Sequence, residues 1–260
     1  MITFYDCSTA PSPRRARILL AEKGVAHETV QIDLRKGEQF GEDFRRVNPQ
    51  CTVPVLRVDD GTALTDNAAI IAYLEARFPD PPLLGQTPEE KAEIASWQWR
   101  IEFEGLMAVA EALRNSSPAM ANRALPGPVD YAQIPALAER GLARVAQFFA
   151  TLNDRLAGRD YIATDRFSVA DITAVVVVDF DLHVQLDEEA SEFAAGNSAV
   201  CFRNEGATTL AIPTCTDTGF TAVRQRYFMP NAYRDPGIPL PAARTDYEPT
   251  RDEIRAARQR

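Results

Sequence analysis

One stretch narrows what this chain can fold into more than any other: Asn48-Pro49-Gln50-Cys51-Thr52-Val53-Pro54-Val55-Leu56 sets a proline at the mouth of an apolar run. Proline has no N–H for a sheet ladder, so it is confined to a strand's first residue, an edge or a bulge. The strand therefore starts after Pro54. Val55-Leu56-Arg57-Val58, the turn pair Asp60-Gly61 and then Thr62-Ala63-Leu64 predict a hairpin. Thr65, Asp66 and Asn67 are all good helix caps. The helix they open is read over residues 68–78, with Ile70, Ile71, Leu74 and Phe78 on one face and Pro79 as its stop. This block leaves the Val53 backbone beside an uncovered helix start, and both offer hydrogen bonds to a peptide-like or anionic ligand.

Upstream, a strand is read over residues 2–5 and a helix over 13–23, with Ser12 as cap, Pro13 first and Gly24 just past the end. A second strand covers about 28–34, where Val30, Ile32 and Leu34 alternate with polar residues, and 35–47 has room for a short helix. The order is that of a thioredoxin-like α/β domain over residues 1–80. The proline-dense run 79–85 marks a boundary, and what is clearly patterned beyond it is helical.

The second unit is an all-helical domain over 88–185. A long helix at 88–114 has apolar residues on two sides: Ile94, Trp97, Ile101 and Ala108 against Trp99, Phe103, Leu106, Ala110 and Leu113. Such a helix is expected to be buried on both, against its own bundle and against the first domain or a second subunit. Another helix is read over 134–156. Phe167-Ser168-Val169-Ala170-Asp171-Ile172 then reads as a variant capping box, with Ser168 as cap, Asp171 reaching back to it, and Phe167 and Ile172 as a hydrophobic staple. The helix it opens is almost wholly apolar and is expected in the core.

A chain of 260 residues with 45% hydrophobic content can bury a sizeable core. Its 28 basic and 37 acidic side chains give a net charge of −9, which argues against nucleic acid or an anionic membrane as partner. Cys7, Cys51, Cys201 and Cys215 are dispersed, and only His27 and His183 could join them, so neither a metal site nor a disulfide framework is expected. No basic region followed by an apolar core opens the sequence and no apolar run approaches bilayer length, so neither export nor membrane insertion is expected, and a reducing cytoplasm is the expected location.

Four motifs in order resemble the cytosolic glutathione transferases of bacterial type, over residues 1–182. They are the Asn48 to Leu56 stretch, Leu64-Thr65-Asp66-Asn67-Ala68-Ala69-Ile70 with Tyr73-Leu74, the Phe167 to Ile172 box, and Arg15 to Gly24 as the first helix. The resemblance implies glutathione as co-substrate and a homodimer. It also implies a cis bond between Val53 and Pro54, with the Val53 backbone pairing to the cysteinyl part of glutathione. Asp66 and Asn67 would hold the γ-glutamyl end, Asn67 standing where the family carries a hydroxyl. The glycyl carboxylate needs a cation or amide donor, for which Lys36, Gln39 and Gln50 are the candidates. The electrophile pocket would be lined by the helical domain, with Trp99, Phe103 and Met107 available.

The chemistry implied is thiolate addition or substitution at an electrophilic carbon. A thiol of pKa ~8.5 is only about 3% ionised at pH 7. Lowering it by two units gives roughly 75%, for about 2.7 kcal/mol of differential stabilisation. A helix N-terminus plus one donor supplies that, which places the activating group between Tyr5 and Ser12. Aligned on residues 15–24, Ala10 falls where the omega class carries its cysteine and Ser12 where the beta class does. Ser12 is the chosen donor, with Ser8 and Thr9 as alternates and helix capping as the competing role for Ser12. A glutathione-dependent thiol-disulfide reductase using Cys7 and a non-catalytic glutathione-binding adaptor are the rival functions. After Leu182 the helical pattern lapses into turn formers and a proline-rich, charged end, residues 186–260 forming the segment in question. That segment is read as atypical, with an extended or disordered tail, and a reading-frame change is one explanation of it.

Overall fold

The computed structural model describes residues 1–188; the last helix continues to Glu188, past Leu182 where its pattern is expected to lapse, and the expectations for residues 189–260, with Cys201 and Cys215, lie outside the described residues. Four strands form one sheet in the order β2-β1-β3-β4: β1 (Thr3–Asp6), β2 (Glu28–Gln31), β3 (Val55–Arg57) and β4 (Ala63–Leu64). β1 runs parallel to β2 and antiparallel to β3, which pairs antiparallel with β4. The parallel step needs a crossover, and α1 (Pro11–Lys23) supplies it. α2 (Glu42–Val47) and α3 (Asn67–Arg77) complete the thioredoxin-like unit. Strand alternation divides its interior in two. Phe4 and Leu56 join the main core under α1 and α3, while Tyr5 and Val55 face a smaller cluster with Ile32 and Phe44.

Helix ends account for most of the boundaries. α3 is capped by Asp66, whose Oδ1 accepts from the Ala69 N–H at 2.8 Å. α1 ends at Gly24 in the left-handed conformation (φ 61°), with the Val25 N–H returning to the Leu20 carbonyl. Its start departs from expectation: Pro11, not Pro13, opens the helix, and Ala10 is the cap residue with no side-chain bond. Either proline suits the first turn, because both lack an N–H that would go unused there. Ser12 is therefore inside the first turn, and its hydroxyl is released from capping.

The bundle comprises α4 (Pro88–Arg100), α5 (Met107–Ser116), α6 (Pro135–Leu156) and α7 (Val169–Glu188). Thr87 and Glu90 close a capping box at the start of α4. The long helix expected at 88–114 is interrupted by a π-helical turn at Ile101–Leu106, which shifts the phase of its faces. Of the two apolar sides, Ile94, Trp97, Ile101 and Ala108 lie in the core; on the other, Leu106, Ala110 and Leu113 are half-buried, and Trp99 and Phe103 are exposed.

α7 is central. Val169, Ala170 and Val175 to Val178 are all buried, and the core they share with Leu19, Ile70 and Phe148 runs through both halves of the molecule. The proline-dense connection is tied down: Lys23 Nζ donates to the Pro81 carbonyl at 2.6 Å, Glu75 accepts from the Leu83 and Leu84 N–H groups, and the Val169 N–H reaches the Leu83 carbonyl. At the start of α7, Asp171 accepts from the Ser168 N–H (2.9 Å), the Ser168 hydroxyl (3.0 Å) and the Ile162 N–H (2.9 Å).

Candidate active site

The first turns of α1 and α3 meet at Ser12. Asn67 Nδ2 donates to both the carbonyl and the Oγ of Ser12, each at 3.1 Å, and Arg15 Nη2 donates to the same Oγ at 3.2 Å. A hydroxyl has two lone pairs and one hydrogen. With both lone pairs engaged, what remains of the Ser12 hydroxyl for a further bond is its hydrogen. Ser12 is half-buried, and Asn67 and Arg15 are only 5% and 8% exposed, so the two donors are held in place. Arg15 pairs in turn with Glu102 in the π-helical turn, where Gln98 Nε2 also donates to Glu102 Oε1 at 3.1 Å. Burial lowers the Arg15 pKa from its usual value, and the Glu102 charge opposes that effect.

The alternates Ser8 and Thr9 are placed differently. Ser8 is exposed, and its N–H donates to Gln31 Oε1 at 3.1 Å. Thr9 Oγ1 lies 3.4 Å from the buried Cys7 sulfur. Arg17 braces this loop, donating to both oxygens of Asp6 and to the Cys7 carbonyl.

The bond between Val53 and Pro54 is cis, as the resemblance implied. The β1–β3 ladder ends at the Tyr5–Val55 pair, and among the described residues neither the N–H nor the C=O of Val53 has a partner. Asp66 is exposed, with one oxygen committed to its cap. Gln39 is 7% exposed, and its Oε1 has no partner among the described residues. Gln50 is exposed, and Lys36 is exposed and paired with Asp33 at 3.2 Å.

Sequence reasoning missed a contribution from the helical domain. In the loop between α5 and α6, Tyr131 N–H bonds to the Asn122 carbonyl and Ala124 N–H to the Tyr131 carbonyl, an isolated parallel bridge between Arg123 and Tyr131, and the loop it closes reaches back to the first domain. There the Arg123 guanidinium lies 4.4 Å over the Phe40 ring, and Gly127 passes the Gln50 carbonyl. Arg114 holds the loop by donating to the Arg123 carbonyl at 2.7 Å. The only signal in the sequence was an arginine in a turn-rich segment, with nothing to indicate where that segment returns.

On α4 and the turn after it, the Trp99 and Phe103 rings stack at 5.0 Å, and with Met107 they make an exposed apolar stripe. Among the described residues no group of three or more His, Cys, Asp or Glu is gathered in a way that could hold a metal ion, and no helix is long and apolar enough to cross a membrane.

Residues 9–77 match the family model of the glutathione S-transferase N-terminal domain, and residues 135–180 match that of its C-terminal domain. The chain is 35% identical over 185 residues to glutathione S-transferase 2 of Saccharomyces cerevisiae, covering 70% of this chain and 77% of that protein. It is 45% identical over 80 residues to the maleylacetoacetate isomerase of Rattus norvegicus, a match to 30% of this chain and 37% of that protein. Among solved structures, a glutathione S-transferase domain-containing protein of Marinobacter aquaeolei VT8 superposes with a TM-score of 0.64 at 36% identity, over 71% of this chain and 89% of that one.

Proposed function

The chain belongs to the glutathione S-transferase family, and from that footing we propose that it conjugates the thiolate of glutathione to small electrophilic substrates. The observation that carries this reading is the hydroxyl of Ser12, whose lone pairs are taken by Asn67 and Arg15 and whose hydrogen is left for a sulfur anion.

In this reading the cysteinyl backbone of glutathione pairs with the N–H and C=O of Val53, next to Pro54. The γ-glutamyl end lies at α3, its amino group against Asp66 and its carboxylate on the unused N–H groups of the first turn, Asn67 included. Gln39, Gln50 and Arg123 receive the glycyl carboxylate, Arg123 supplying the cation. The sulfur then sits at the opening turn of α1, whose dipole and the Ser12 O–H both favour the ionised form. The thiol proton goes to solvent, and the thiolate attacks the electrophilic carbon. A C–S bond forms, and the leaving group departs with its electron pair or an activated double bond takes up a proton. The stripe of Trp99, Phe103 and Met107 is the apolar surface assigned to the electrophile. A homodimer in a reducing cytoplasm belongs to the same reading. Reduction of mixed disulfides through Cys7 is less well supported, because its thiol is only 6% exposed.

Two measurements test this. Calorimetry should detect glutathione binding, and a chlorodinitrobenzene assay should detect conjugation that falls about 10- to 100-fold in kcat for Ser12→Ala. Unchanged turnover in Ser12→Ala would remove the role given to that hydroxyl, and no binding at millimolar glutathione would remove the function.

A further inference from the structure

The geometry points to Arg15 as a positioning residue that sets how strongly Ser12 donates, held for that task by Glu102 of the helical domain. The inference rests on the role proposed for Ser12.

Ser12 and Arg15 are three residues apart on α1, so the arginine side chain returns along the helix over the serine. Its two terminal nitrogens are used differently. One pairs with Glu102, and the other donates to Ser12 Oγ at 3.2 Å. An ion pair serving only to join the two halves of the molecule needs the first contact and not the second. The neighbouring cations face elsewhere: Arg14 pairs with Asp179 at 2.8 Å and Arg17 with Asp6 at 2.9 Å. The remaining contact to Ser12 Oγ comes from the neutral Asn67 amide. Among the described residues, then, Arg15 is the one charged group that touches the hydroxyl.

A donor bearing full positive charge polarises the O–H it bonds to, and hydrogen bonds in series strengthen one another where water is excluded. Arg15 does not reach the sulfur in this account; it acts through Ser12. Glu102 fixes the fork of the guanidinium and is itself held by Gln98. The acidity of the bound thiol therefore depends on a residue of the π-helical turn, in the opposite half of the molecule.

The test is a double-mutant cycle on full-length protein, with Arg15→Gln, Arg15→Lys, Ser12→Ala and Ser12→Ala/Arg15→Gln. At saturating glutathione, the pH dependence of kcat/KM for chlorodinitrobenzene reports the pKa of the bound thiol. Arg15→Gln should raise that pKa by about one unit, a nearly tenfold loss of thiolate well below it, with KM for glutathione changed by less than about twofold. Arg15→Lys should recover part of the loss, because the charge survives without the planar fork. In the Ser12→Ala background Arg15→Gln should add almost nothing, since the two residues act as a unit.

A full additive shift in that background, or an Arg15→Gln effect confined to thermal stability, overturns the inference. A raised pKa in Ser12→Ala with none in Arg15→Gln overturns it while leaving the proposed function standing. A wild-type thiol pKa equal to that of free glutathione overturns both.

Discussion

Arg14 of α1 and Asp179 of α7 form an ion pair at 2.8 Å in which each side chain is 2% exposed, a charged contact inside the core that joins the two halves of the molecule. Neutralising one partner leaves the other without its counter-charge in a medium that solvates it poorly. Asp179→Ala should therefore destabilise the fold by about 3–5 kcal/mol, measured by urea denaturation. Replacing both at once, with Arg14→Met and Asp179→Leu, should restore most of that loss, because a buried pair contributes little over well-packed apolar side chains. A double variant as unstable as the single one would show that the pair itself carries the stability.

α5 and α6 cross at Gly141, where an added Cβ would stand 2.6 Å from the Ala112 nitrogen and 2.9 Å from the Ala108 carbonyl oxygen. Both are backbone atoms and cannot swing aside. Gly141→Ala should cost about 1–3 kcal/mol despite alanine's better helix propensity. At Gly105 the added carbon would meet the ring of Phe148 instead, at 2.7 Å, and a ring can shift. Thermal melts should rank Gly141→Ala below Gly105→Ala.

Asp171 is fully buried at the start of α7, and burial pushes its pKa from 3.8 up to about 6, against the three hydrogen bonds it accepts. Because the folded value lies above the unfolded one, the native state binds the proton more tightly. Its contribution is fully present below about pH 4 and is lost as pH rises through about 6, a change on the order of 3 kcal/mol for a two-unit shift. Urea titrations from pH 4 to 7 should show a steeper decline for the wild type than for Asp171→Asn. The asparagine variant should also be less stable throughout, because its amide N–H groups face the Ser168 donors.

Arg123 tests whether the helical domain supplies the cation for the glycyl carboxylate. Arg123→Ala should raise KM for glutathione about tenfold with kcat nearly unchanged, the pattern of lost ground-state binding. High salt should narrow the difference, since the side chain is partly exposed. A fall in kcat with unchanged KM would place Arg123 elsewhere in the reaction.

Local chemistry made the first domain legible. Pro54, the Asp60-Gly61 turn and the Asp66 cap each act over a few residues, and the strands and helices fell where those residues put them. The start of α1 differs from expectation because Pro11 and Pro13 are equally good openers, and the choice between them decides whether Ser12 is the cap or lies inside the first turn. On the second apolar side of the stretch 88–114, Leu106 and Leu113 pack against the core while Trp99 and Phe103 stay exposed, a division that apolar spacing alone does not carry. Long-range contacts left no trace in spacing. Neither Arg15 with Glu102 nor Arg123 over Phe40 could be read from positions 87 and 83 residues apart in the chain.

The proposed conjugation requires a thiol that loses its proton beside the Ser12 hydroxyl. Titrating the thiolate absorbance of glutathione bound to the wild-type protein measures this directly. The predicted apparent pKa is about two units below the ~8.5 of an unperturbed thiol, moving back toward it in Ser12→Ala. A bound thiol that titrates like free glutathione would contradict the account.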